Sequence, residues 1–318
     1  MNYYIQYLRA IAAIATVGFH IIGTSYSYGY DYPNFFMISN WGGHGVDLFF
    51  VISGYIIVYV QDIKQKDTKT FLWNRFARII PTYYFLTTFI IILMIGFPNI
   101  FKGTIQKEQV FQSYLFLNTF FSNTPLIYVG WSIEYEIFFY LIFAVSILFK
   151  EKINEKYFTL VVIFLIFLLF NLNLMILEFC LGIFVHLLSK KFKLNNLKSV
   201  FIFFVGFLIF IFNSMIDSNL DRFFTYGISS ALMLFGILNL KEYRFKTLKF
   251  LGDASYSIYL MQVFTISFFF KALQYFSINS FDFLFFLFNI LFSILVGSIF
   301  YFIFEKKILL LKKKKSKV

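Results

Sequence analysis

A chain of 318 residues that is 60% hydrophobic and 24% aromatic, with a mean hydropathy of +0.76, lies far outside the range of soluble globular domains. The formal net charge of +12 does not indicate a nucleic-acid-binding protein, because that reading needs basic residues clustered on a water-facing surface, and here they fall between apolar stretches. The single cysteine, Cys180, excludes an intrachain disulfide, and its place in an apolar run makes it a buried small hydrophobe.

A hydrocarbon core about 30 Å thick needs about 20 apolar residues per helical crossing. Such runs fall near 5–24, 45–61, 79–97, 131–149, 157–172, 174–189, 199–213, 223–240, 253–272 and 281–304. The pattern predicts an all-α, polytopic transmembrane helix bundle of about ten spans with both termini cytoplasmic. The first run does not read as a cleavable signal peptide, since Arg9 interrupts it and no small-residue cleavage site follows. Within 98–130, Val110–Phe121 is short for a crossing and reads as an interfacial or re-entrant piece. No internal repeat is visible.

Charge sets the orientation. With a cytoplasmic N-terminus, the inner segments 62–78, 150–156, 189–198, 241–249 and 305–318 carry 23 of the 28 Lys and Arg residues. Arg9 lies near the inner end of the first span, so only Lys102, Lys107, Arg222 and Lys271 fall on the outer side. A miscount by one span would reverse this alternation downstream of the error. Residues 1–305 read as one transmembrane domain and 306–318 as a basic cytoplasmic tail, whose Lys312–Lys315 run suits an anionic inner leaflet. No fused soluble domain is expected.

Ionisable groups inside membrane helices are costly and mark the places where chemistry is expected. Arg9 and His20 are eleven residues apart, which at 100° per residue returns to within about 20° of the same helix face and separates them by about 16 Å. Trp131, Ser132, Glu134 and Glu136 open a span that runs inward, at the depth of His20, and Asp47 in Gly43-His44-Gly45-Val46-Asp47 joins that outer layer. A carboxylate beside an imidazole orients it and raises its basicity, as a general base requires. Arg75 and Arg78, at i and i+3 just before Pro81, lie at the inner surface with Arg9, and guanidinium groups bind phosphates bidentately.

Each of these has a plainer reading. Arg9 can snorkel to the inner headgroups, Arg75 and Arg78 can be ordinary inner-side cations, and Trp131 can belong to an interfacial aromatic belt. Asp253 reads as the N-cap of the ninth span. Glu178 is open between a functional role and a hydrogen-bonded interior one.

Taken in order, "YLRAIAAIATVGFH", "GGHGVDLFFVISGY", "FLWNRFARIIPTYY", "WSIEYEIFFYL" and "LGDASYSIYLMQ" resemble the signature elements of acyltransferase family 3, almost end to end. The resemblance implies a membrane O-acyltransferase, of O-acetyl type, that takes the acyl group from cytoplasmic acetyl-CoA or another acyl-CoA without a metal. The implied acceptor is a hydroxyl of an extracytoplasmic polysaccharide or lipid-linked glycan, with membrane lipid as the surrounding partner and no nucleic acid. The implied location is the inner (cytoplasmic) membrane.

His20 and Glu136 are then expected to be catalytic, Arg9, Arg75 and Arg78 to hold the CoA phosphates, and Trp131, Asp47 and Glu134 to bind the acceptor. His20 would act as base or carry the acyl group itself. Where many members of the family end the last segment in His, this chain has Gln262, so the base assignment falls on His20. Two rival readings are a glycan or lipid-precursor transporter, in which Arg9 and His20 line a path, and an acyltransferase for a small cytoplasmic acceptor.

Overall fold

Apolar runs of this length satisfy their backbone groups internally in lipid only as helices, and the chain folds accordingly. The computed structural model describes residues 2–30, 42–97, 105–170, 172–215, 220–278 and 280–315, and no strand occurs among them. Lys102, with the rest of 98–104, and the tail end 316–318 lie outside the described residues.

The helices are α1 (Tyr3–Ser27), α2 (Gly45–Lys64), α3 (Thr68–Gly96), α4 (Lys107–Leu115), α5 (Trp131–Leu148), α6 (Glu155–Phe170), α7 (Glu178–Lys191), α8 (Asn196–Met215), α9 (Ile228–Ile237), α10 (Lys246–Tyr275), α11 (Phe283–Phe300) and α12 (Lys306–Lys315). A helix stands at each of the ten expected spans. Among the described residues, seven helical segments are long and apolar enough to cross a membrane; α6, α7 and the segment Phe223–Ile237 are shorter. The expected interfacial piece is the short α4 followed by a 3-10 turn at Asn118–Phe121.

Two helices start earlier than their apolar runs imply. The Asp67 carboxylate accepts a hydrogen bond from the Thr70 amide at 3.1 Å and caps α3 eleven residues ahead of the expected start. Arg75 and Arg78 therefore stand inside a helix, and Pro81 lies in its interior instead of at its entry. Likewise α10 begins at Lys246, so Asp253 is not an N-cap; it pairs with Lys249 one turn earlier. At the expected junction with the tail, a π turn (Tyr301–Glu305) joins α11 to α12.

Burial sorts the bundle into centre and shell. The most apolar windows of α1, α2, α5 and α10 are 72, 61, 67 and 61% buried, against 28% for α3 and 17% each for α8 and the last long segment. Outward-facing Phe164, Leu168, Phe201 and Leu208 suit a lipid exterior. α1 packs along α10, and α2 along α7. The second contact is backbone on backbone: a Cβ at Gly54 would sit 2.1 Å from the Phe179 carbonyl oxygen, and one at Gly182 2.1 Å from that of Val51. At the end of α2, Asp62 accepts hydrogen bonds from His186 at 2.7 Å and from Lys190, and pairs with Lys156 at 2.5 Å, tying α2 to α6 and α7.

Candidate active site

Three of the predicted cations meet in one place. A narrow cavity of about 80 Å³ between α1, α2, α3, α5 and α10 is lined by Arg9, Arg75, Arg78 and Glu136, with Ser53, Tyr140, Ser132, Ser255 and Tyr259 among the other walls. Arg9, 8% exposed, donates to Ser255 Oγ at 3.0 Å and to Gln6 Oε1 at 3.4 Å, which fixes its guanidinium between α1 and α10. The Arg75 guanidinium lies over the rings of Phe71 and Tyr140 at 5.7 and 5.6 Å. Glu136 Oε1 accepts from Ser53 Oγ at 2.8 Å and from the Tyr140 hydroxyl. Glu136 at the wall and the buried Glu305 nearby partly balance this positive charge, an arrangement that suits a polyanionic ligand.

His20 is not in this cavity. Its Nδ1 lies 3.0 Å from Gln262 Oε1, and its ring meets the rings of Phe19 and Tyr128 edge-on at 5.4 and 5.1 Å. The Gln262 Nε2 donates to the Tyr259 carbonyl at 2.8 Å, while the Tyr259 hydroxyl bonds Val129 O at 3.0 Å and Ser132 Oγ at 2.8 Å. Tyr259 and Ser132 line the cavity, so this short chain of hydrogen bonds connects its wall to His20.

The expected pairing of His20 with Glu136 is therefore corrected. Glu136 stands five residues, about 7.5 Å, into α5 and turns toward Ser53 and the arginines, while the histidine's partner comes from α10. Spacing had given the depth of each residue but not which way its helix faces.

Two of the three residues expected to bind the acceptor are held by partners within the fold. Glu134 is fully buried and accepts from the backbone amides of Asn118 at 3.2 Å and Thr119 at 2.6 Å and from the Asn118 side chain at 3.1 Å, pinning the turn after α4. Asp47 is also fully buried, gripped by Arg222 through Nε at 3.0 Å and NH2 at 2.5 Å. His44 packs face to face on Tyr226 beside this pair, and the fully buried Glu178 adjoins Asp47. Trp131, the first residue of α5, meets Phe50 and Tyr135 edge-on at 6.2 Å and does not line the cavity.

Sequence reasoning missed Gln262 as the histidine's partner and Ser255 as that of Arg9. A signal was there: Ser255 and Gln262 are seven residues, two helical turns, apart on a helix that was expected to run in the same direction as α1. Among the described residues no group of three or more His, Cys, Asp or Glu side chains is arranged to hold a metal ion.

The family described as "Acyltransferase domain" matches residues 2–303. The chain belongs to this family. Among its relatives, the exopolysaccharide production protein ExoZ of Rhizobium meliloti (strain 1021) is 28% identical over 71% of this chain and 77% of its own length. The peptidoglycan O-acetyltransferase OatA of Listeria monocytogenes serovar 1/2a is 28% identical over 44% of this chain, but only 23% of its own length. A putative acetyltransferase, ORF330 of Acidianus two-tailed virus, is 25% identical over 69% of this chain and 72% of its own. No solved structure matches. Family and helix pattern together make this a multi-pass membrane acyltransferase.

Proposed function

We propose that the protein transfers an acyl group, an acetyl group in the simplest case, from cytoplasmic acyl-CoA to a hydroxyl of an extracytoplasmic polysaccharide or lipid-linked glycan. The observation that carries this reading is the placement of Arg9, Arg75 and Arg78 around one buried cavity, with His20 eleven residues further along α1 from Arg9. In this reading ten crossings place both termini and the arginine end in the cytoplasm, residues 1–305 form the enzyme, and the basic tail holds to the inner leaflet of the cytoplasmic membrane. The relatives named for exopolysaccharide production and peptidoglycan O-acetyl transfer support a glycan acceptor.

The arginines suit the donor's phosphates, and Glu136 limits their mutual repulsion and holds the Ser53 and Tyr140 hydroxyls toward the cavity. From Arg9 to His20 the rise along α1 is about 16 Å, so the donor's thin arm would pass Ser132 and Tyr259 to bring the thioester to the imidazole. His20 takes the proton from the acceptor hydroxyl as its oxygen attacks the thioester carbonyl; the carbon–sulfur bond breaks, and His20 returns the proton to the leaving thiolate. Trp131, at the mouth of α5, offers a stacking face for a sugar ring.

The test supplies labelled acetyl-CoA to inside-out vesicles with and without acceptor glycan. Label on glycan with the parent, and none with a folded His20→Ala variant, is expected. Movement of unmodified glycan without labelling would favour the transporter, and an active, well-expressed His20→Ala variant would remove the base assignment.

A further inference from the structure

Gln262 sits where sequence alone offered no acid–base role, yet its bond to His20 is directional. An amide has one accepting and one donating end, and their assignment follows from what each end faces. The Gln262 nitrogen faces the Tyr259 backbone carbonyl at 2.8 Å, and a carbonyl only accepts, so that end is the NH2. The oxygen is therefore the atom that faces His20 Nδ1 at 3.0 Å. An acceptor oxygen opposite a ring nitrogen requires a proton on that nitrogen, so the neutral imidazole carries its hydrogen on Nδ1 and its lone pair on Nε2. The side chain of Gln262 is fully buried.

We infer that Gln262 is the positioning residue of the acyl transfer: its amide, held by the Tyr259 carbonyl, fixes His20 in the Nδ1–H tautomer and presents Nε2 to the acceptor hydroxyl. The inference rests on His20 being the base proposed above. It gives a neutral amide on α10 the task that sequence reasoning gave to the Glu136 carboxylate. The Tyr259 phenol adds coherence, since its hydroxyl is anchored on Val129 and Ser132 and its carbonyl anchors Gln262. Facing the His20 ring are Gln262 from α10, the Thr16 carbonyl one turn back in α1 and the Tyr128 ring before α5; among the described residues no charged side chain acts on it.

The test compares Gln262→Leu and Gln262→Glu with the parent, each verified as folded by gel filtration in detergent. Leucine removes the side-chain acceptor and leaves only the Thr16 carbonyl beside the ring, so kcat is expected to fall about 10- to 100-fold, the size known for partners that orient metal-bound histidines, with the donor KM little changed. It also removes a bond that stabilises the protonated ring, so the acidic limb of kcat/KM moves to lower pH. Glutamate keeps an acceptor and adds a negative charge, so much of kcat is retained and the same limb moves to higher pH.

Shifts of opposite sign are the signature, because a purely structural role would lower the amount of folded enzyme without moving the limb either way. Parent-like kcat and pH profile in Gln262→Leu, or limbs that move together, would overturn the inference. Should either variant not fold, 15N-histidine NMR of the parent decides: with three histidines in the chain, the signal lost in His20→Ala reports the tautomer, and a proton on Nε2 refutes the role of Gln262. An active His20→Ala would instead refute the base itself, so the two failures are distinguishable.

Discussion

Removing Arg222 separates a structural from a substrate-binding role for Asp47. Asp47 is fully buried and receives two hydrogen bonds from the Arg222 guanidinium, at 3.0 and 2.5 Å, with His44 Nδ1 at 3.6 Å and Glu178 alongside. Arg222→Met deletes both charged bonds and leaves the buried Asp47 carboxylate without its cation. Breaking a buried pair from one side costs about 3–5 kcal/mol, and the side-chain exposure of Arg222, 28%, favours the lower end. Replacing both partners, as in Asp47→Asn with Arg222→Met, removes the uncompensated charge and is expected to recover most of that loss. The assay is the midpoint of thermal aggregation in detergent, followed by gel filtration and paired with acyl transfer per folded molecule. A lower midpoint for the single variant, recovery in the double and unchanged specific activity are expected. A stable Arg222→Met variant with a raised acceptor KM would refute the argument and return Asp47 to the acceptor site.

Three further predictions rest on the same geometry. Arg75→Lys keeps the charge but loses the planar fork stacked on Phe71 and Tyr140, so the donor KM should rise about tenfold with kcat little changed; an unaltered KM would remove Arg75 from the donor site. Glu134→Ala strands the amides of Asn118 and Thr119 and should cost about 1–3 kcal/mol in thermal stability while acceptor KM stays constant. At the solvent-exposed start of α3, hydrogen bonds from Thr70 hold the Asp67 carboxyl below its usual range. A folded-state depression of this kind gives stability that is present above the ordinary carboxylate range and is lost as the pH falls through the depressed value. Asp67→Ala should therefore lower the thermal midpoint at neutral pH, with a difference from the parent that shrinks under strongly acidic conditions.

The sequence carried one spatial coordinate well and another poorly. Depth in the membrane is written in residue count, so Arg9 and His20 fell at opposite ends of one face of α1, and the arginines of α1 and α3 were assigned to the same end, as the cavity has them. Rotation about each helix axis is settled by packing between helices distant in sequence, and there the reading failed: Glu136 faces Ser53 and not His20. Cap chemistry was also underweighted. Asp67 starts α3 well before its apolar run because a polar first turn costs little outside the bilayer, and the same reasoning would have moved Asp253 off the end of α10. Asp47 and Glu134 share the outer layer with His20 in the sequence, while their hydrogen-bond partners, Arg222 and the Asn118 turn, are 175 and 16 residues away and so out of reach of local spacing.

The backbone contact between α2 and α7 sets a tolerance from behind. The cavity face of α2 carries Ile52, Ser53 and Ile56, while Val51 and Gly54 meet α7 on the opposite side. A methyl group at Gly182 would press on the Val51 carbonyl from 2.1 Å, so α2 would have to give way by about an ångström toward the arginines. Ser53, and with it the hydroxyl that aims Glu136, would move as well. The cavity is thus gauged against a helix that does not line it, and a single carbon on its far side amounts to a machining error in its walls.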